Sequence, residues 1–403
     1  MKVSSGNKGD AVRSDCFAEF WDEGNASNQI FLKSKVKSLY GKSIETLGHE
    51  ILDFYDLKGF SVNIEDSGAL PFVIAARLEA AIKQLVATEK SFLFDKLPEN
   101  DYPIAPTRYR RSRLYVPGNN PKMMINAGIY GSDAVILDLE DAVHPAKKAE
   151  AAILVRNALC QVNFYGAERM VRINQVPEGL TDLEYIVPFG VHTIVIPKCE
   201  SSDDILFVEQ RIQKITGRAN TIHLIPIIES ALGVENAFEI AVSSENVVAL
   251  AIGLEDYTAD IGAQRTGEGR ESFYARSRIV NTARAAGIQP LDSVFSNFED
   301  LEALADAARN SKALGFEGIG CIHPGQIQTA NKSFSPSEKE IEKAKKIVLA
   351  FSLAEKEGKG VVAVDSKMVD APVVKRAQKT IDHAITFGLL NQNWMDSYGN
   401  ELG

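Results

Sequence analysis

The sequence predicts an α/β protein: a (β/α)8 TIM barrel with a small N-terminal α+β domain and a C-terminal helical extension. Three observations carry that prediction. Eight strand candidates, at residues 112–117, 133–139, 169–174, 192–197, 222–229, 247–255, 289–295 and 316–322, alternate with amphipathic segments. Eight such βα units favour a closed parallel barrel over its rival, an open doubly wound sheet. The runs at 222–228 and 247–252 are almost continuously apolar, the pattern of a parallel strand covered on both faces. The 403 residues accommodate a barrel of about 250 residues and leave room for a small module.

Composition narrows the function class. With 45% hydrophobic and 24% charged residues, the chain has the balance of an ordinary globular protein. Its formal charge of −10 argues against nucleic-acid and anionic-membrane partners, which require a basic face. No run approaches the roughly 18 apolar residues of a membrane span, and the opening residues lack the apolar core of a signal peptide. The expectation is a cytoplasmic protein. Cys16, Cys160, Cys199 and Cys321 are scattered without metal-ligand spacing, so they read as free thiols.

Along the chain, residues 1–90 form a first domain. Leu39, Ile44, Leu47, Ile51 and Phe54 recur at helical spacing over 36–57, Gly59 breaks the pattern, and 60–64 alternates like a strand. A second helix covers 69–87. Residues 91–107, with Pro98, Pro103 and Pro106, read as an extended linker rather than a packed element. The barrel occupies 108–330, and 331–403 forms the extension. There, Ser335-Pro336-Ser337-Glu338 is an N-cap signal for a charged helix up to about 357. A loop over 358–370 carries Asp370, and a closing helix spans 373–387. The tail from 389, with Trp394 and Tyr398, has no period.

Polar residues fall where the predicted strands end. The first strand ends in Pro117-Gly118-Asn119, the second in Asp138-Leu139-Glu140-Asp141, the third in Arg172-Ile173-Asn174 and the fourth in Lys198-Cys199-Glu200. The fifth ends in Glu229, the sixth in Glu255-Asp256 and the eighth in His323-Pro324. Such groups on one rim indicate an active-site mouth. Glu229 and Asp256, on successive strand ends, suit a hard divalent cation such as Mg²⁺. Their rival role is helix capping. Arg172 has an alternative as a buried ion-pair partner of Asp138 or Glu140, His323 reads as a packing residue, and Cys199 lacks an activating base.

Two resemblances sit on these motifs. Residues 9–88, above all Gly59-Phe60-Ser61-Val62-Asn63-Ile64-Glu65-Asp66-Ser67-Gly68-Ala69-Leu70 and Ala76-Arg77-Leu78-Glu79-Ala80, resemble the acyl-carrier subunit of citrate lyase. That family carries a covalent phosphoribosyl-dephospho-CoA arm on a serine shortly before its first strand. One register places Ser14 there and a gapless one places Arg13. The alternative is a packing or oligomerisation domain without an arm.

Residues 108 to about 385 resemble the citrate lyase β-subunit, malyl-CoA lyase and citramalyl-CoA lyase family. The motifs are Arg113-Leu114-Tyr115-Val116-Pro117-Gly118-Asn119, Asp133 through Val143, Val171-Arg172-Ile173-Asn174, Ile196-Pro197-Lys198-Cys199-Glu200-Ser201, Gly253-Leu254-Glu255-Asp256, Ile322-His323-Pro324 and Lys367-Met368-Val369-Asp370. The resemblance implies retro-Claisen cleavage of a 3-hydroxy-3-carboxyacyl-CoA thioester to acetyl-CoA and a 2-oxo acid. It implies Mg²⁺ on Glu229 and Asp256, with Arg172 steadying the oxo acid and Asp370 moving a proton at the acetyl carbon. Asp138, Glu140, Asp141, Lys198 and Glu255 read as surrounding or substrate-side groups. Arg113, at the head of the cluster Arg108, Arg110 and Arg111 and followed by Lys122 and Lys147-Lys148, is the candidate for the CoA phosphates, against a solvated linker face for Arg108, Arg110 and Arg111. The resemblance further implies a homo-oligomer, trimer or hexamer, in which Asp370 reaches a neighbour's site. Two other functions stay open: a citrate lyase component acting on a carrier-bound thioester, and a non-catalytic assembly or regulatory subunit.

Overall fold

The structure, a computed structural model, describes residues 2–395 except 23, 25, 26, 218–220, 357, 359 and 366. It divides into two compact units, Met1–Gln328 and Thr329–Gly403.

The first unit opens with an α+β module. Its elements are β1 (Lys2–Gly6), β2 (Cys16–Asp22), β3 (Gln29–Ser34), α1 (Lys37–Phe54), β4 (Phe60–Asp66) and α2 (Pro71–Leu85). The sheet order is β1-β2-β4-β3, antiparallel except between β3 and β4. That parallel pair requires a crossover, which α1 supplies. Phe20, Ile51, Val62, Ile64 and Leu78 form the module's core. Both helices and β4 follow the expected pattern, while β1, β2 and β3 were not anticipated. β1 is largely polar and β3 never fully buries a residue, so neither carries a strong apolar signal. Ser14 consequently lies between β1 and β2 rather than ahead of the first strand.

Helix α2 is buried at every residue from Phe72 to Ile82. It packs against the module sheet and also against α4 (Lys148–Gln161) of the following domain. Two ion pairs cross between α2 and α4. Arg77 reaches Glu150 at 3.2 Å, and Arg156 grips Glu79 through two bonds of 2.8 and 2.7 Å. All four side chains are buried, so each charge depends on its partner. Residues 91–107 are no free linker. Phe92 and Phe94 pack on the module core, and the buried Asn100 amide donates to the carbonyls of Leu159 and Val162. Extended backbone that lacks a period thus gains order from side chains seated on both neighbours.

The barrel is closed and parallel, as expected. Its strands are β5 (Ser112–Pro117), β6 (Ala134–Asp138), β7 (Glu168–Arg172), β8 (Thr193–Ile196), β9 (His223–Ile228), β10 (Ala249–Ile252), β11 (Gln289–Val294) and β12 (Ile319–Cys321), with β12 returning to β5. Helices α3 (Pro121–Ile125), α4, α5 (Asp182–Ile186), α6 (Ser202–Thr216), α7 (Ala231–Val242), α8 (Leu254–Asp260), α9 (Phe273–Ala286), α10 (Leu301–Leu314) and α11 (Ile327–Phe334) follow the strands. Several strands are shorter than their apolar runs. The run at 247–255 ends as strand at Ile252 because the chain turns into α8, whose first turn carries Glu255 and Asp256. Register sets the upper rim: Pro117 lies opposite Asp138, and Asp138 opposite Arg172.

The barrel's other end is closed by Arg110, which bonds Glu168 at 2.8 and 3.0 Å; both are fully buried. Burial opposes ionisation there, yet Arg110, His223 and Thr193 hold the Glu168 carboxyl down to about 2.

In the second unit, α12 (Glu338–Lys356) and α13 (Ala371–Thr386) enclose a core of Ile347, Val348, Val369, Ile381 and Trp394. The expected loop before Asp370 contains a hairpin, β13 (Val362–Val364) with β14 (Lys367–Val369). Trp394 is buried despite the aperiodic tail; Tyr398 lies outside the described residues.

Candidate active site

At the C-terminal ends of the strands a cavity of about 460 Å³ is lined by Tyr115, Asp138, Arg172, Glu229, Asp256 and Ser293, among others. Glu229 follows the last residue of β9 and is 5% exposed. Its orientation is set by backbone. Lys198 adopts a left-handed conformation, φ 49°, and its N–H donates to Glu229 Oε1 at 2.7 Å. On the other side stands Gly253, where an added Cβ would collide with Glu229 Oε2 and lie 2.8 Å from Glu229 Cβ. The chain tolerates a side chain at the strained position and none at the crowded one. Burial pushes the Glu229 carboxyl up to about 8, assisted by the charges of Asp256 and Glu140 and opposed by the Lys198 N–H and by Arg172.

Asp256, in the first turn of α8, faces the same cavity. Its neighbour Glu255 is exposed at the edge, paired with Arg265. Among the described residues no group of three or more His, Cys, Asp or Glu gathers as metal ligands. A two-carboxylate site leaves most of an octahedron to water and ligand, the arrangement Mg²⁺ favours. The carboxyl of Glu229 is raised first by burial and only then by Asp256 and Glu140, and a bound cation would favour its ionised form.

Arg172 sits in a rack of acids. It bonds Asp138 through Nε at 2.7 Å and Nη2 at 2.6 Å, and its Nη1 lies 2.8 Å from Glu140 and 3.8 Å from Asp141. The ion-pair alternative raised by the sequence is therefore present, while Arg172 also lines the cavity. Its guanidinium carbon lies 5.4 Å from the centre of the Tyr115 ring. Lys198 Nζ joins the same acids, 2.6 Å from Glu140 and 3.4 Å from Asp141. One residue thus steadies Glu229 through its backbone and the acid rack through its ammonium. Burial raises the Glu140 carboxyl, and the neighbouring cations pull the other way.

Other candidates land elsewhere. Arg113 does not reach out to a phosphate: it is buried low in the barrel, donating to the carbonyls of Asp292 at 2.7 Å and Arg110 at 3.4 Å. The strand position that made it prominent points its side chain inward. Arg110 plugs the opposite end, Arg111 pairs with Asp133 at 2.8 Å, and Arg108 donates to the carbonyls of Asp133 and Gly166. Cys199 is buried, and burial, followed by the charge of Asp204, raises its thiol. His323 caps a short turn through Nδ1 and stacks on Phe298. Asp370, in the second unit, caps α13 by accepting from the Val373 N–H at 3.3 Å. Ser14 is half-buried with φ 55°, its N–H donating to Ser67 O at 3.0 Å.

Sequence reasoning passed over Asp292 and Ser293. Asp292 is held by Arg276 and Ser311 beneath the cavity, and Ser293 Oγ accepts from the Leu254 N–H at 3.1 Å, fixing the start of α8. Two adjacent polar residues in the middle of the seventh strand candidate, between Leu291 and Val294, were the available signal.

With a barrel, a paired carboxylate and an arginine rack described, the comparisons with known proteins become decisive. The family model described as HpcH/HpaI aldolase/citrate lyase matches residues 111–324. This chain belongs to the HpcH/HpaI aldolase/citrate lyase family. Within that family it is 41% identical to citrate lyase subunit beta of Leuconostoc mesenteroides subsp. cremoris, over 73% of this chain and 98% of that protein. It is 34% identical to human mitochondrial citramalyl-CoA lyase, over 68% and 84%. A solved family structure, CitE from Mycobacterium tuberculosis in complex with magnesium, acetoacetate and coenzyme A, superposes with a TM-score of 0.59 at 29% identity, covering 70% of this chain and 99% of that one. Residues 9–85 separately match an acyl-carrier model described as malonate decarboxylase delta subunit. Both expected resemblances are thereby met.

Proposed function

We propose that this protein is a Mg²⁺-dependent carbon–carbon lyase that cleaves a 3-hydroxy-3-carboxyacyl-CoA thioester of the citramalyl, malyl or citryl type to acetyl-CoA and a 2-oxo acid. The observation that carries the reading is the Glu229–Asp256 pair facing one cavity with Arg172. Family membership supports it, as does the magnesium and coenzyme A bound by the M. tuberculosis relative.

Glu229 and Asp256 would hold the metal, which when bound supplies Lewis acidity to the oxygens of the oxo-acid portion. Lys198 and Gly253 keep Glu229 turned toward the cavity. Cleavage converts a hydroxyl into a carbonyl while the acetyl carbon becomes an enolate, so negative charge must be met near the cleaved bond. Arg172, held rigidly by Asp138 and Glu140, presents a fixed cation there without reorganisation. Asp370 serves as the proton-transfer carboxylate at the acetyl carbon. We assign it to a neighbouring subunit of a homo-oligomer, trimer or hexamer, on the resemblance of the Lys367–Asp370 motif. Residues 1–90, 108–330 and 331–403 act as carrier-like, catalytic and Asp370-bearing parts of a cytoplasmic enzyme; among the described residues no helix is long and apolar enough to cross a membrane.

The test is a panel of malyl-, citramalyl- and citryl-CoA with and without Mg²⁺, reading 2-oxo acid release. Turnover of none with metal present would overturn the reading. The carrier match over residues 9–85 favours one second reading, a citrate lyase component acting on a thioester carried by an arm on Ser14. Intact mass after expression in a host able to attach the arm, compared with Ser14→Ala, decides it.

A further inference from the structure

We infer that the N-terminal module is a fixed second wall of the groove that receives the phosphate-bearing arm of the thioester, with Arg13 of the module and Lys122 of the barrel as its opposing cations. The inference rests on the lyase reading and concerns a part of the substrate that the cavity around Glu229 does not hold.

A separate cavity of about 350 Å³ lies between two loops, one from each domain: Asn7, Arg13 and Asp15 on the module side, Asn119, Asn120 and Lys122 on the barrel side. The barrel loop leaves the C-terminal end of β5, on the catalytic rim. Pro117 and Met123, on either side of it, line the catalytic cavity. The segment 117–123 is thus a partition between the two cavities, and a chain leaving the first over this partition enters the second.

The partition and the module are tied together. Buried Arg77 holds Asp15 with bonds of 2.9 and 3.1 Å and Glu150 at 3.2 Å, and donates to Asn119 O at 3.1 Å. Glu150 also accepts from Ser5 at 2.7 Å and the Gly6 N–H at 3.1 Å. One guanidinium therefore fixes the module loop, α4 and the mouth loop in a common frame.

Charge then selects the ligand. Asp15 is paired from behind by Arg77, and among the described residues the exposed Arg13 and Lys122, which line the groove, make no ion pair. Arg13 is braced by its own turn, with Nη1 on the carbonyls of Asp10 and Val12. In a chain of net charge −10, two cations across a groove concentrate anions there. Asparagine amides between them match the amide groups of a pantetheine stem. A diphosphate-bearing, amide-containing arm is the chemistry this groove fits.

The experiment titrates the full chain, with Mg²⁺, with coenzyme A and separately with pantetheine, which lacks the phosphates. Arg13→Glu should weaken coenzyme A about tenfold or more, since reversal removes one attraction and adds one repulsion. Pantetheine affinity should not change, and Arg13→Lys should retain most coenzyme A affinity. Lys122→Glu should repeat the pattern. Unchanged coenzyme A binding in Arg13→Glu, an equal loss for pantetheine, or no coenzyme A binding by the wild type would each overturn the inference. Turnover of pantetheine thioesters, which need no phosphate contact, tests the lyase reading separately. If they are not cleaved and none of the coenzyme A thioesters of the panel is cleaved either, while Arg13 still governs coenzyme A binding, the lyase reading falls and the groove stands.

Discussion

Magnesium should expel a proton from this protein at neutral pH. The burial that turns Glu229 toward the cavity raises its carboxyl from 4.5 to about 8, so without metal it is protonated at pH 7 by about ten to one. Binding a hard dication requires the carboxylate. Apparent affinity should therefore rise about tenfold per pH unit below 8 and level off above it, and at pH 7 stand about 1.4 kcal/mol short of its plateau. Stability of the metal-free chain runs the opposite way. Between 4.5 and 8 the native state holds a proton that the unfolded state has released, so stability falls as pH rises through this window. The fall is at most about 5 kcal/mol and is complete above pH 8. Calorimetry of Mg²⁺ binding at pH 6.5, 7.5 and 8.5, in buffers of differing ionisation enthalpy, measures the released proton. Near one proton should leave per metal at the lowest pH and few at the highest. Glu229→Gln should bind more weakly and release none. A pH-independent affinity with no proton release in the wild type would refute the reasoning.

Three further outcomes follow from named contacts. Gly253→Ala should push Glu229 out of place and weaken Mg²⁺ at least about tenfold with little change in melting temperature, because the collision is local to the carboxylate; calorimetry beside a thermal melt checks both. Arg172→Lys keeps a charge but loses the fork that Asp138 grips, so turnover should fall at least about tenfold, about 1.4 kcal/mol, in a steady-state assay of the most active thioester. Arg156→Met strips buried Glu79 of its two-bond partner, leaving it Lys83 at 3.7 Å, and should cost about 3 kcal/mol of stability by denaturant titration, whereas combining it with Glu79→Leu should recover most of that loss.

The barrel was legible because its signal is redundant. Each strand is buried on both faces, so a misjudged boundary still leaves an apolar run, as where β10 stops at Ile252. That Glu229 and Asp256 face one cavity was legible for a related reason, since a carboxylate that closes an apolar run has few other addresses. Arginine was not. A guanidinium at the start of a strand is equally suited to a phosphate, to a carboxylate across the barrel floor, or to carbonyls, and only the closed geometry put Arg110 on Glu168 and Arg113 on Asp292. Half-exposed strands such as β3 escaped because edge pairing contributes backbone bonds that leave no side-chain period. The role of Lys198 was hidden more deeply. Its contact with Glu229 is made by a backbone N–H whose direction depends on a left-handed φ, which residue type does not encode.

Helix α2, buried on every side, limits how this protein can deliver a substrate. A carrier that serves distant stations lets go of each in turn and presents a water-compatible surface while it travels. Here release would strip Phe72, Val73 and their neighbours of their cover and force four charges to find new partners at once. The module is moored. Whatever reaches the catalytic mouth from its side comes by the length and suppleness of its own tether, over ground the protein holds still.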